Sequence, residues 1–197
     1  MKHRFRIGVL ALAISGVAAG FFAADPPLRV RIATPLGAIT VELDPVNTPG
    51  TTANFLRYVD EGFYTDGEFF RTVTVDNQPT DAVKIAVIQA GADPARTANA
   101  FPPIALERTR VSGLSHVDGA VSMARSGPDT ATHSFFICVG DQLELDTGGR
   151  RNPDGQGFAV FGRVVEGMDV VRAIHRSPAD GQSLDPPVSI EKVLRVR

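Results

Sequence analysis

Gly119-Ala-Val-Ser-Met-Ala-Arg-Ser-Gly-Pro-Asp-Thr-Ala-Thr-His-Ser-Phe-Phe-Ile-Cys138 is the stretch whose reading decides the fold. Two strand-like runs, 119–124 and 134–139, are joined by a long polar turn, and the second carries paired phenylalanines. Working outward, strands are predicted at 158–165 and 188–196, with a helix over 168–175 that ends before Ser177-Pro178. Upstream, 28–33 and 38–43 alternate apolar and polar residues around Thr34-Pro35-Leu36-Gly37, the pattern of a β-hairpin. Thr48-Pro49 starts a helix with Phe55, Leu56 and Val59 on one face and Gly62 as its stop. Further strands are expected at 68–75 and 82–89, and the segments 93–115 and 146–156 read as loops long enough to carry function. The order is mainly β, with two separated helices.

A chain of 197 residues, 43% of them apolar, suits one domain with a sizeable core. With 19 glycines and 14 prolines it has many turns, and with no tryptophan its 12 phenylalanines must supply the bulk of any pocket. Lys2, Arg4 and Arg6 precede the apolar run 7–24, the layout of an export signal. The same run is long enough to stay in a membrane as a tether, so residues 1–24 read as a signal peptide or an N-terminal anchor, and the protein as exported. Without those three basic residues, 17 basic side chains face 22 acidic ones, a body near −5 with no basic stripe for nucleic acid. Cys138, the only cysteine, lies in an apolar run and reads as an inert buried thiol.

The quoted stretch resembles a segment of the cyclophilin family of peptidyl-prolyl isomerases, of the form S-M-A-(N/R)-x-x-x-x-T-x-x-S-Q-F-F-I. Ser122-Met123-Ala124-Arg125, Thr130 and Ser134 to Ile137 follow it. Phe69-Phe70-Arg71-Thr72-Val73 resembles the family's F-H-R strand, and Val87-Ile88-Gln89-Ala90-Gly91 its F-M-x-Q-G strand. Phe158 to Val171 is similar to the bacterial Y-A-V-F-G-K-V-x-x-G-M-D-V-V. The resemblance covers 28–197 and implies a closed antiparallel eight-stranded β-barrel capped by two α-helices. It further implies action without cofactor on proline-containing polypeptides, here in the periplasm; no special association surface is evident in the sequence, so a monomer is expected. Arg71, Gln89 and Phe136 stand at the positions of catalysis. Val87, Met123, Ala124, Arg125, Leu145 and Phe158 stand at those that bind substrate. Departures are Phe70 for the usual histidine, Ser134 for glutamine, and Ala86 and Val87 for phenylalanine and methionine. Glu144 replaces the tryptophan of cyclosporin-sensitive members, which implies weak inhibition by that drug. The stretch from Arg71 to Gln89 is longer than is usual and contains the insertion 75–81.

The chemistry fits these residue types. Rotation about an X-Pro bond faces a barrier near ~20 kcal/mol because amide resonance is lost in the twisted state. The prolyl nitrogen then regains a lone pair, and a fixed guanidinium aimed at it favours the twist over the planar amide. Taken alone, Arg71 would read as a strand arginine paired with Asp66 or Glu68, and each apolar wall residue as ordinary core. A rival function on the same barrel is a module that binds proline segments without turning them over. Other chemistries lack their residues: the histidines and the one cysteine have no metal-ligand spacing, and Gly155-Gln156-Gly157 is not a dinucleotide loop. No proton is transferred in the reaction, so no acid–base pair is implied and a flat rate over pH 6–8 is expected.

Overall fold

The computed structural model describes residues 26–196. The leader at 1–24 lies outside them, and among the described residues no helix is long and apolar enough to cross a membrane. The chain forms β1 (Arg29–Thr34), β2 (Gly37–Leu43), α1 (Pro49–Asp60), β3 (Gly67–Val73), β4 (Val87–Gly91), the single turn α2 (Thr109–Ser112), β5 (Ala120–Met123) and β6 (Phe135–Cys138). Then come β7 (Ala159–Glu166), α3 (Met168–His175), β8 (Ala179–Asp180), β9 (Ser183–Ile190) and β10 (Lys192–Val196).

All ten strands join one antiparallel sheet in the order β10-β1-β2-β7-β5-β6-β4-β3-β9-β8. This corrects the expected closed barrel of eight strands with two helices: among the described residues no ladder closes the sheet, and α2 adds a third, one-turn helix. The physical reason lies in the last segment. The run 188–196 is not one strand, because the chain changes partner at Glu191, whose N–H donates to Ala33 O at 2.9 Å. β9 pairs with β3 and β10 with β1, so the chain itself links the two flanks of the sheet where hydrogen bonds do not. Pro186 and Pro187 interrupt a different ladder, that of β9 with β3. They have no N–H for a ladder, and the β3–β9 register jumps there, from Phe69 opposite Val188 to Arg71 opposite Ser183.

The main core follows the period of two. Val30, Ile32, Ile39, Val41, Phe69, Ile88, Val121, Phe135, Ile137 and Phe161 turn inward and meet Phe55, Tyr58 and Val59 of α1. Phe55 sits among aromatic rings, 5.5 Å edge-on from Phe135 and 5.0 Å from Phe161. α1 begins at Pro49 as its Thr-Pro signal predicts, but Thr48 makes no side-chain cap. The Glu107 carboxylate takes that role, accepting from the N–H groups of Gly50 at 2.9 Å and Thr51 at 2.7 Å. Two of the helix's unpaired donors, and its positive end, are thus met from a loop far away in sequence. α3 is preceded at its N-cap by Gly167, with φ of 88°, and a side chain there would collide with Ala38 O.

Candidate functional site

A second, smaller apolar cluster lies on the opposite face of β4, β5 and β6 from the main core. It contains Val73, Ile85, Val87, Phe136, Cys138, Leu145 and Val160, with Ala124 and Phe158 against it. Alternation sorts the paired phenylalanines: Phe135 goes to the core and Phe136 to this face. A cavity of about 240 Å³ opens over the cluster, lined by Arg71, Ile85, Val87, Gln89, Ala124, Arg125, Phe136, Leu145, Arg151, Asn152 and Phe158. Met123 is absent from this lining. It is 1% exposed and packed in the main core, because it shares a strand face with Val121.

A β-bulge aims Arg71 at the cavity. Phe69 lies opposite Ala90 and Arg71 opposite Gln89, so Phe70 is the extra residue, and Arg71 is turned away from the core face that Phe69 occupies. Its guanidinium then meets two neutral amides rather than Asp66 or Glu68. Nη1 donates to Gln89 Oε1 at 2.9 Å, and Nε and Nη2 donate to Gln182 Oε1 at 2.9 and 2.5 Å. Three of the five N–H donors of an arginine are used, which leaves one on each terminal nitrogen among the described residues. With its oxygen committed to Arg71, Gln89 presents its amide N–H₂ without a partner among the described residues. Burial lowers the Arg71 pKa from its ordinary value, and the charge of Arg151 adds to that, while Asp81 opposes it.

Gln182, Ile85, Arg151 and Asn152 are site residues that the sequence reading missed. Gln182 comes from the tip of the β8–β9 hairpin and is tied there by its own N–H₂, which donates to Asn77 O at 3.2 Å. Asn77 belongs to the insertion and donates to Thr72 O and Gly181 O. The insertion is therefore built against the site. Gln78, 1% exposed, braces it by donating to Thr74 O and Ile85 O, both at 2.7 Å. Its side chain also accepts from Ile85 N–H, which explains why β4 begins at Val87 and not at 82. No local pattern marks Gln182; the extra length between Arg71 and Gln89 is the signal that an added segment lies near.

Arg125 divides its labour between side chain and backbone. The guanidinium is 1% exposed, paired with Asp154 at 2.7 Å, bonded through Nε to Gly157 O at 2.8 Å and placed 5.0 Å from the Phe158 ring centroid. It holds the wall rather than facing substrate. Among the described residues the main-chain groups of Arg125 have no partner, so they remain available to an extended peptide, whereas Ala124 N–H is committed to Ser134 O. Gly157 is required at the foot of the wall. Its φ is 68°, and a side chain would sit 2.6 Å from Thr147 N.

Beneath the floor lies a histidine that carried no signal in the sequence. His116 is fully buried, with Nδ1 2.6 Å from Asp146 Oδ1 and Nε2 3.0 Å from Ser122 Oγ. Its ring stacks under Phe136 at 5.8 Å and 10°, and meets Phe158 edge-on at 6.4 Å. Ser122 is itself fully buried, so this Ser-His-Asp arrangement offers no nucleophile and serves as a support. Burial works against ionisation of Asp146, yet hydrogen bonds from His116 and Ser115 hold its carboxyl below the ordinary value. Burial and three nearby aspartates push the Cys138 thiol far upward, so it stays protonated.

Comparison with known proteins gives this arrangement its context. The family model described as cyclophilin type peptidyl-prolyl cis-trans isomerase/CLD matches residues 29–195. Peptidyl-prolyl cis-trans isomerase cyp18 of Streptomyces antibioticus is 37% identical over 146 residues, 74% of this chain and 81% of that protein. Peptidyl-prolyl cis-trans isomerase A of Dickeya dadantii is 35% identical over 156 residues, 78% of this chain and 74% of the relative. A Cryptosporidium parvum cyclophilin type isomerase, crystallised in the presence of the dipeptide Ala-Pro, superposes with a TM-score of 0.69 at 20% identity. The match covers 86% of this chain and 99% of that one, and it speaks for the fold. A ten-stranded antiparallel sheet of this shape, a bulge that turns one arginine outward and a phenylalanine-floored cavity beside it, matched by a family model along nearly the whole described chain, place this protein in the cyclophilin-type peptidyl-prolyl cis-trans isomerase family.

Proposed function

We propose that this chain accelerates cis–trans rotation of X-Pro bonds in exposed, extended segments of exported proteins, without a cofactor, and that Arg71 stabilises the twisted amide. One observation carries the reading. Arg71, anchored by two neutral amides and not by a carboxylate, stands at a cavity floored by Phe136 with a donor left on each terminal nitrogen. A carboxylate partner would damp the guanidinium's field; the amides fix its direction and leave the charge to act. The proline ring, which has no donor, is held by contact with Phe136, Leu145, Phe158 and Val87. Gln89 N–H₂ and the Arg125 main chain are placed to bond the flanking backbone, which gives affinity with little demand on side-chain identity.

Exchange NMR on a short Ala-Pro peptide tests this without a coupled protease. Wild type accelerates the exchange, and Arg71→Ala lowers kcat/KM at least tenfold, about 1.4 kcal/mol of transition-state stabilisation. Binding of the peptide with no change in exchange rate would sink the catalytic reading and leave a proline-binding module.

A further inference from the structure

Among the described residues the cavity lining includes three arginines and no acid: Arg71 and Arg151, and Arg125, whose guanidinium is turned into the wall. The acids nearest to them act from outside the lining. Asp154 pairs with Arg125 at 2.7 Å, and Asp81, on the insertion, pairs with Arg151 at 3.2 Å. Glu144 is taken by Arg150 and Asp146 by His116. Among the described residues Arg71 has only amide partners, so one positive charge stays uncompensated in a small, partly enclosed space. Arg151 is not a freely solvated arginine. Its side chain is 15% exposed and pinned by a 2.7 Å bond to Val83 O, which holds it at the rim between the insertion and the loop that precedes Phe158. Of its charge partners, Asp81 is 40% exposed, so water screens that pairing and the cavity side of Arg151 keeps part of its field.

We propose that this cavity selects proline segments with an acidic side chain next to the proline, and that Arg151 sets the preference. The inference rests on the isomerase reading above. A carboxylate beside the proline lies between two fixed cations in a region of low dielectric and gains more than it would in bulk water, whereas a lysine there is repelled. The insertion then has a specificity role, because its Asp81 partly masks Arg151, while Val83 O, two residues beyond it, orients the guanidinium.

The experiment is exchange NMR at low ionic strength with peptides carrying Glu, Gln or Lys immediately before or after one proline. In wild type, kcat/KM for Glu exceeds that for Lys at least fivefold in one of the two positions, and 0.5 M NaCl shrinks the ratio. Arg151→Gln lowers the ratio at least threefold and Arg151→Lys retains most of it. Asp81→Asn, which unmasks Arg151, raises it. A Glu/Lys ratio within twofold in both positions, or one unchanged in Arg151→Gln, overturns the proposal while acceleration of the Gln peptide leaves the isomerase reading intact. No acceleration of any peptide overturns both.

Discussion

Replacing His116 tests whether the floor of the cavity is held from below. His116→Ala removes a hydrogen bond to the Asp146 carboxylate and, among the described residues, the only side-chain partner of the Ser122 hydroxyl, and it leaves a void under Phe136. A hydrogen bond to a charged group contributes about 1.5–3 kcal/mol, and a buried hydroxyl left unpaired costs about 1–3 kcal/mol. Asp146 keeps the His116 backbone N–H at 3.1 Å, which places the sum at roughly 3–5 kcal/mol. For a domain of this size that is a fall in Tm of about 6–20 °C. His116→Asn retains a donor in the place of Nδ1 and loses the contact with Ser122, so its cost is about half. The stacked ring pair contributes ~0.5–1.5 kcal/mol, so the alanine variant also loses roughly two- to tenfold in kcat/KM well below its Tm. Urea titration monitored by circular dichroism gives the stability and exchange NMR the rate. An alanine variant within about 0.5 kcal/mol of wild type would refute the view that this buried triad supports the site.

Three further outcomes are expected. Asp146 has its pKa lowered from 3.8 in the folded state, so its contribution to stability is present above that pH and disappears as pH falls through the lower folded value; the urea midpoint of wild type drops between pH 5 and pH 2.5, and the drop is smaller in Asp146→Asn. Cys138 is fully buried with its thiol held protonated, so a thiol reagent at pH 8 labels it in urea but not in the native protein, and rapid native labelling would contradict the burial. Because Arg71 keeps its charge and no proton moves in the reaction, kcat/KM is flat from pH 6 to 8, and a bell-shaped profile would count against the arginine mechanism.

What the sequence reveals here is what local periodicity can encode. The alternation around Phe135 and Phe136 places two strand faces, and the helices at 49–60 and 168–175 follow from a Thr-Pro start and from a stop before Ser177-Pro178. Hydrophobic patterning says which residues turn inward; it does not say which strand a segment pairs with. That is why 188–196 reads as one strand, although the change of partner at Glu191 splits it and leaves the sheet without a closing ladder. The same blindness to parity explains Met123: its place beside cavity residues in the motif suggests a wall, but its strand face is that of Val121, so it lies in the core.

The site divides along a similar line. Arg71, Gln89, Phe136, Leu145 and Phe158 stand in recognisable motifs and meet at one cavity. The groups that orient them are long-range and polar. Gln182 reaches Arg71 across 111 positions, and His116 reaches Asp146 across 30. Such contacts leave no periodic trace, because a hydrogen bond asks for one donor and one acceptor at a fixed distance, not for a pattern along the chain. The bulge at Phe70 is the clearest case. Without it, strict alternation would put Arg71 on the face of Phe69 and bury an unpaired guanidinium in the apolar core, at a cost no domain of marginal stability sustains. One extra residue in β3 turns that cost into a directed charge at the cavity wall. Deleting Phe70, by contrast, takes out the residue that has no partner in the ladder and leaves Phe69 opposite Ala90 and Arg71 opposite Gln89, so regular alternation keeps Arg71 on the cavity face. The prediction is a protein that keeps its fold on deletion of Phe70 and gains no stability when Arg71→Leu is added, as measured by urea titration; rescue of an unfolded deletion variant by Arg71→Leu would refute this register.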